Sequence, residues 1–332
     1  MSTHSHLGQG ATLTQVVDGP TTSAPATTPA TVADGARARR GGGRRHRLSS
    51  ERVWPYLLVL PTLVILLVFR IVPLGMGVNY SFTGDGALNG AFVGLDNYVT
   101  LFQDERFQAS ARNVIVIFIF VPIQVFVAGI LATVIYLKVP GGSFYRGVYF
   151  LPVVLSPIII GAIFNIVLAA NGPLNQLAAS VGLPTVDYLG LPETALPSVL
   201  TVHIWATFGM ALVIFLAGFA TLDQDLLDAS KIDGATLPQT IWHVIIPGLA
   251  QTIQFVFVTT TIGMLTGLFG LLYTMTAGGP GAASYLPEYL IWKLNGEARP
   301  AMASAASVFL LAIVLLIGLV QIRVLRKATR EL

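Results

Sequence analysis

At 332 residues the chain is 54% hydrophobic and only 11% charged, where a soluble globular domain carries about 25% charged residues, so most of its surface cannot face water. It contains no cysteine, which excludes disulfides, thiolate catalysis and Cys-ligated metal sites. The formal charge of +3 is small, and its distribution along the chain says more than its sum.

The first 48 residues are a separate material. "MSTHSHLGQGATLTQVVDGPTTSAPATTPATVADGA" lacks apolar periodicity and cannot bury enough surface to offset the entropy of ordering it. "RARRGGGRRHR" follows. As the n-region of a signal peptide it would precede a shorter apolar run with a small-residue cleavage site, and neither is present. Nucleic-acid binding is the other use of such a cluster; its Gly interruptions and its place beside an apolar run favour a cytoplasmic anchor. The expectation is a disordered basic cytoplasmic tail over 1–48 and a membrane domain over 49–332.

A hydrocarbon layer about 30 Å thick takes roughly 20 apolar residues as a helix. Six stretches qualify, near 54–80, 113–137, 147–168, 196–220, 251–273 and 302–322. The fifth is rich in Thr and Gly. All are read as helices, because backbone in lipid must satisfy its own hydrogen bonds. With the amino terminus inside, fourteen of the nineteen Lys and Arg fall on the inner side: seven before the first span, Lys138 and Arg146, Lys231, and four at the carboxyl end. The outer side holds Arg106, Arg112, Lys293 and Arg299, and Arg70 lies within the first span. Positive charge stays inside, so both termini are expected in the cytoplasm.

The inner segment 221–247 contains "DASKIDGATLPQTIWHVIIP" and reads as a structure of its own. Residues 224–232 suit a short helix, which Gly234 ends. Thr236 and Gln239 have capping-box spacing, and Pro238 is tolerated in a first turn. A second helix then carries Ile241, Trp242, Val244 and Ile245 until Pro247 turns the chain into the fifth span. One reading is an amphipathic hairpin resting on lipid headgroups. Asp223, Asp225 and Asp228 on the first arm argue instead for a groove on another protein, because anionic lipid repels acid.

These residues resemble a motif of ATP-binding-cassette (ABC) importer permeases, E-A-A-x3-G-x9-I-x-L-P. Here Asp228, Ala229 and Ser230 are followed at the same spacing by Gly234 and by Val244, Ile245, Ile246 and Pro247. Asp replaces the motif Glu, Ser the second Ala, and Ile246 the Leu. The "IDGA" at 232–235, "FVGLDNYVTLFQDERF", "SFYRGVYFLPVVLSPIIIGAIFN" and "YTMTAGGPGAASYLPEYLIWKL" look like the carbohydrate-uptake branch, similar to maltose- and glycerol-phosphate-type permeases. The resemblance covers about 54–327 and leaves the tail unmatched. It implies an all-α membrane protein with the type I importer permease fold and a coupling helix–turn–helix. The hairpin residues Asp228, Ala229, Ser230, Asp233, Gly234, Trp242 and Pro247 would seat in a cytosolic ATPase. Asp228 would meet a basic residue there, Gly234 would let the arms pack, and Trp242 and Pro247 would carry motion into the fifth span. The implied partners are a second, similar permease, an ATPase dimer holding ATP and Mg, and an extracellular solute-binding protein, with membrane lipid around the spans. No cofactor or metal is expected on this chain, and no nucleic-acid partner.

Polar residues inside spans are candidates for the solute path. They are Gln124, Asn165, His203, Thr259, Thr260, Thr261 and Thr266, each with a structural alternative as interhelical glue or helix back-bonding. In maltose-type relatives the sugar contacts lie on the span after the motif, which here offers Thr260, Thr261, Gly263, Met264, Leu265, Gly267 and Leu268. The amides expected there are missing; Phe257, Thr261 and Phe269 offer a thin aromatic-and-hydroxyl substitute. Arg70, which costs roughly 2.5–3.5 kcal/mol inside a span, is best explained by snorkelling outward or by a carbonyl freed near Pro73. No HExxH, GxSxG or Walker lysine motif points to an enzyme. An ion-coupled secondary transporter is the rival reading, but it usually needs an intramembrane carboxylate, and no acid falls clearly within a span. The sequence is therefore read as a plasma-membrane permease subunit of a prokaryotic importer for a sugar or sugar-like solute.

Overall fold

A computed structural model describes residues 50–85, 90–137 and 142–328. The tail expected over 1–48, and Lys138 on the inner side, lie outside the described residues. The chain divides into Met1–Leu58 and Val59–Leu332, and the packing below belongs to the second unit.

The helices follow in chain order. α1 (Ser50–Leu66) continues through a π-helical turn, Leu67–Ile71, into α2 (Val72–Tyr80). A short α3 (Asp96–Gln103) leads to the long α4 (Glu105–Tyr136). Next are α5 (Gly142–Val154), α6 (Pro157–Val167), α7 (Pro173–Ser180) and α8 (Pro192–Phe219). α9 (Gln224–Ile232), α10 (Leu237–Thr240), a second π turn over Ile241–Ile245, and α11 (Ile246–Gly248) make up the segment with the motif. α12 (Ala250–Thr266), α13 (Phe269–Met275), α14 (Pro287–Gly296) and α15 (Pro300–Ala328) complete the chain. An isolated bridge between Thr83 and Phe92 closes the loop between α2 and α3.

Among the described residues four helices are long and apolar enough to cross a membrane: Tyr56–Tyr80, Glu105–Tyr136, Pro192–Phe219 and Pro300–Arg323. The count reaches six if two bent pairs each serve as one span. Here the structure departs from the expected straight helices. The third stretch bends by 103° between Gly147–Val154 and Pro157–Val167. Pro157 disfavours helical backbone at the residue before it, and Ser156 is extended at ψ 135. The fifth stretch begins after a 71° turn between Leu237–Gly248 and Ala250–Thr266, where Pro247 was expected to redirect the chain. It then stops at Gly267 and restarts as α13, where one helix over 251–273 was expected.

Both π turns stand immediately before a proline, Pro73 in α2 and Pro247 in α11. Proline brings no N–H to the carbonyl four residues back and crowds it. A widened turn absorbs the misfit while the helix continues. Arg70 sits on the first of these turns with its side chain exposed.

α4 and α8 form the centre. Val114, Ile117, Val121, Val125, Ala128, Ala132 and Ile135 give α4 one buried stripe at helical spacing. More than half of the α8 apolar window is buried, whereas none of the Tyr56–Tyr80 window is. Glycine permits the closest crossings: Gly209 of α8 faces the backbone of Tyr149 in α5, Gly218 faces Thr252 of α12, and Gly161 of α6 faces Thr274 of α13. At Gly209 even a methyl group would meet the Tyr149 carbonyl oxygen.

Gly209→Ala discriminates packing from propensity. Helix propensity alone would stabilise the variant by about 1 kcal/mol; the clash should instead destabilise it by about 1–3 kcal/mol. Thermal melting of the detergent-solubilised protein should show a lower Tm, and a raised Tm would mean that α5 yields without cost.

Candidate functional site

The segment between α8 and α12 folds as a helical hairpin. Asp223 starts α9 by accepting a hydrogen bond from the Asp225 N–H at 2.9 Å, filling one of the donors a helix start leaves free. At the other end the Gly234 N–H donates to the Lys231 carbonyl at 3.1 Å and the Ala235 N–H to the Ser230 carbonyl at 3.0 Å. This is the paired closure of a Schellman turn, with Gly234 at φ +71 in the left-handed position that favours glycine. The Gln239 side chain then accepts from the Thr236 N–H at 2.8 Å, securing the start of the second arm.

The arms close on each other through small and apolar groups. Leu227 and Ser230 are the buried residues of α9, Ile245 is buried on the second arm, and the Ser230 and Thr240 hydroxyls lie 3.4 Å apart. The opposite face is open. Asp228, Ala229, Asp233 and Gly234 are exposed, Ile232 is 86% exposed and Trp242 is 69% exposed. Asp228 accepts from Lys231 Nζ at 2.8 Å, but both groups are well exposed, so the pair is screened and contributes little to stability. Pro247 is half-buried where the hairpin passes into α12. Asp228, Ala229, Ser230, Asp233 and Gly234 thus sit together on the first arm and its turn, with Trp242 and Pro247 on the second.

The candidates inside the spans separate into different environments. Gln124 Nε2 donates to the Thr207 hydroxyl at 3.1 Å, linking α4 to α8, while its Oε1 is buried without a protein partner. The Thr207 hydroxyl itself donates to the His203 carbonyl at 2.7 Å. Asn165 donates to the Met275 carbonyl at 2.8 Å and to that of Thr274 at 3.2 Å, covering groups exposed where α13 ends. Thr261 spends its proton on the Phe257 carbonyl at 2.8 Å and accepts from Gln321 of α15, also at 2.8 Å. Met264 is fully buried, Thr260 partly exposed, and Gly267 exposed at the break before α13.

Phe257 and Trp242 line one cavity of about 700 Å³ with Phe126, Phe215 and Pro238, between α4, α12 and the second arm. Its walls are apolar. A second cavity, about 530 Å³, lies between α6 and α8 and holds Phe164, Tyr188, Glu193, Ser198 and Trp205. Ser198 gives its hydroxyl to the Tyr188 carbonyl and Thr201 to that of Pro197, so this cavity also presents mainly apolar surface.

Three polar residues beyond the sequence candidates organise the far end of the bundle. Asn113 of α4 donates to the carbonyls of Ala283 at 2.8 Å and Tyr285 at 2.9 Å, holding the Gly278-Gly279-Pro280 loop. Arg106 bridges Asp104 at 2.9 Å and Glu297 at 2.7 Å. Glu288 accepts from the Phe269 N–H at 3.1 Å where α13 begins, with Phe269 stacked against Tyr273 and Tyr289. Glu288 carried a signal in the sequence, a lone acid inside "YLPEYLIW"; nothing local tied it to position 269.

Burial pushes the Glu288 carboxyl above its ordinary value of 4.5, against the pull of the Phe269 and Leu268 N–H groups. The folded chain therefore holds this proton more tightly than the unfolded chain does. The group's stabilisation is full below 4.5 and is lost as pH rises through the folded value. Glu288→Gln should accordingly gain Tm relative to the parent protein as pH rises from 4.5 to the folded value, and keep that gain above it. A difference that stays constant with pH would show the carboxyl to be solvated.

Comparison with known proteins adds the following. A family model described as "Binding-protein-dependent transport system inner membrane component" matches residues 86–330. The chain is 33% identical to the probable ABC transporter permease protein YurN of Bacillus subtilis, over 86% of this chain and 100% of that one. It is 28% identical to the multiple sugar-binding transport system permease protein MsmF of Streptococcus mutans, over 83% and 97%. Among solved structures, a bacterial ABC transporter involved in import of the acidic polysaccharide alginate matches with a TM-score of 0.71 at 24% identity, covering 83% of this chain and 96% of that one.

Proposed function

We propose a function that proceeds from the family: this chain belongs to the binding-protein-dependent transport system inner membrane components. It is a multi-pass membrane protein and a permease subunit of an ABC importer, a transport component and not an enzyme. Its work as such implies an ATPase and a solute-binding protein as partners. The ion-coupled alternative is not favoured.

On this reading the hairpin over 221–247 is the docking element for the cytosolic ATPase. The observation that carries it is the hairpin's two-sided construction: Leu227, Ser230 and Ile245 are buried, while Asp228, Ala229 and Ile232 stand open and Trp242 borders the apolar cavity beside α4 and α12. Exposed apolar side chains beside an acid suit a partner's groove better than anionic lipid. ATP-driven closure of two ATPase copies would displace the hairpin, and the half-buried Pro247 would pass that displacement into α12. An element with two positions biased by a partner is the physical requirement for alternating access. ATP and Mg are held by the ATPase. A second, similar permease completes the membrane part, both termini face the cytoplasm of a prokaryotic cell, and the Gly278-Gly279-Pro280 loop faces the binding protein. The excess of Lys and Arg on the side of the hairpin supports this orientation.

The solute is a sugar or a sugar-like molecule. The names of relatives such as MsmF support this class. Within the chain, Thr260, Gly267 and Phe257 offer partly open positions along α12. Asn165, Thr261 and Gln124 are engaged across helices and Met264 is enclosed, so most direct contacts fall to the second permease.

Gly234→Trp tests docking. A side chain at φ +71 costs roughly 1–2 kcal/mol, and the indole would stand on the open face. When the tagged chain is purified from gently solubilised membranes, an ATPase should accompany the parent protein and be reduced at least tenfold, about 1.4 kcal/mol, in the variant. Absence of any ATPase from the parent, under conditions that keep known importers intact, would overturn the reading.

A further inference from the structure

Three helix ends meet at one hydroxyl group. Tyr136 is the last residue of α4, Phe219 the last of α8 and Gln224 the first of α9. The Tyr136 and Phe219 rings stack with centroids 4.5 Å apart and planes 20° apart. Gln224 Nε2 donates to Tyr136 Oη at 2.7 Å. Phe219 is buried, Tyr136 half-buried and Gln224 exposed, so the stack is shielded while the hydroxyl bond stands where water competes for it. A bond in such a place adds little to stability, and its presence calls for another account.

The connections of the hairpin supply one. Its second arm is continuous with α12 through Pro247, and its first arm is joined to α8 through the turn after Phe219. α4 packs against α8 and α12 along its length, but neither connection ties the end of α4 to the first arm. The Gln224–Tyr136 bond does, and α4 is the 32-residue helix whose other end holds the distant loop through Asn113 and meets Glu297 through Arg106. At 1.5 Å per residue it is a rod of about 48 Å, longer than a hydrocarbon layer is thick.

We propose that Tyr136 is a positioning residue for energy coupling: its hydroxyl, gripped by Gln224, fastens the first arm of the hairpin to the end of α4, so that displacement of the hairpin moves α4 and the loop held at its far end. Without the grip, the displacement reaches α4 only through its packing on α8 and α12, and the turn between Phe219 and Gln224 takes up part of it. The inference rests on the docking role proposed above and adds a route from the hairpin to the outer loop. Phe219 serves as the bearing, keeping the Tyr136 ring in register with α8.

The absence of cysteine from the whole sequence makes a clean reporter possible. Asn295→Cys, on the exposed side of α14, is labelled with an environment-sensitive fluorophore in the complex carrying its co-purified ATPase, reconstituted in nanodiscs. The probe is ATP with vanadate, which needs no knowledge of the solute. The parent complex should show an ATP-dependent change in fluorescence. Tyr136→Phe keeps the ring and its stack and should reduce that change at least fivefold, with ATPase recovery and basal hydrolysis unchanged. Gln224→Ala should reduce the fluorescence change as far, and the double variant should be no worse than either single one, as a shared interaction requires. Gln224→Glu, whose carboxylate accepts from the tyrosine hydroxyl, should restore most of the response.

A full response in Tyr136→Phe with the ATPase bound would overturn the inference and leave the docking role standing. Loss of the ATPase from Tyr136→Phe would also overturn it, by making the residue part of the docking surface itself. An absent response in a parent complex that retains its ATPase would show that nothing reaches the outer loop by this route. Failure of the parent to bring down an ATPase would sink the functional proposal and this inference together.

Discussion

Backbone in a hydrocarbon layer has no water to bond, and each interruption of a span must find its partners within the protein. Much of this structure follows from that constraint. The break before α13 is answered by Glu288, which accepts from the Phe269 N–H, and the end of α13 by Asn165, which donates to Met275 and Thr274. Two prolines inside long helical runs are met by π turns, which keep the helix going where a hydrogen bond has been removed. Glycines at 161, 209 and 218 bring helices close enough for such side chains to reach their targets. The polar residues of the bundle are thus largely occupied with its own irregularities, which leaves few of them open to a solute.

The hairpin meets the opposite condition. It lies outside the long apolar helices, and its Schellman turn, N-cap and Gln239 contact satisfy its backbone locally. It is built as a self-contained piece with one face given to the protein and one left open. Such a piece can shift as a unit, provided that its attachments transmit the shift. Those attachments are covalent at α8 and α12 and polar at α4, so two of the central helices are addressed by the chain itself and the third by a pair of side chains.

The hairpin was legible because its signals are local. Gly234 at the left-handed position, Thr236 three residues before Gln239, and the acid opening α9 all act within a turn of themselves. The membrane class was legible from composition and charge asymmetry alone. The bends were not. Pro157 and Gly267 were visible as residues, but hydropathy is averaged over a window about as long as a span and runs straight across a sharp turn. The π turns were equally hidden, since a proline announces a misfit without saying how it is absorbed. The polar candidates inside the spans failed to sort for another reason: Asn165 finds its partners 109 and 110 residues away and Thr261 finds Gln321 at a separation of 60, and no local pattern encodes such pairings. Tyr136 gave no sign at all, as its meaning depends on two other helix ends.

The first long apolar helix has a different relation to its surroundings from the rest. No residue of the Tyr56–Tyr80 window is fully buried by the chain's own fold, and the chain holds this helix chiefly where α2 lies along α15. Its 25 residues rise about 37 Å against a hydrocarbon thickness of about 30 Å. The difference is taken up by leaning or by protrusion, with Tyr56 and Tyr80 near the two interfaces where aromatic side chains settle. The amino-terminal half of this helix is therefore matched as much to the bilayer around it as to the protein beside it.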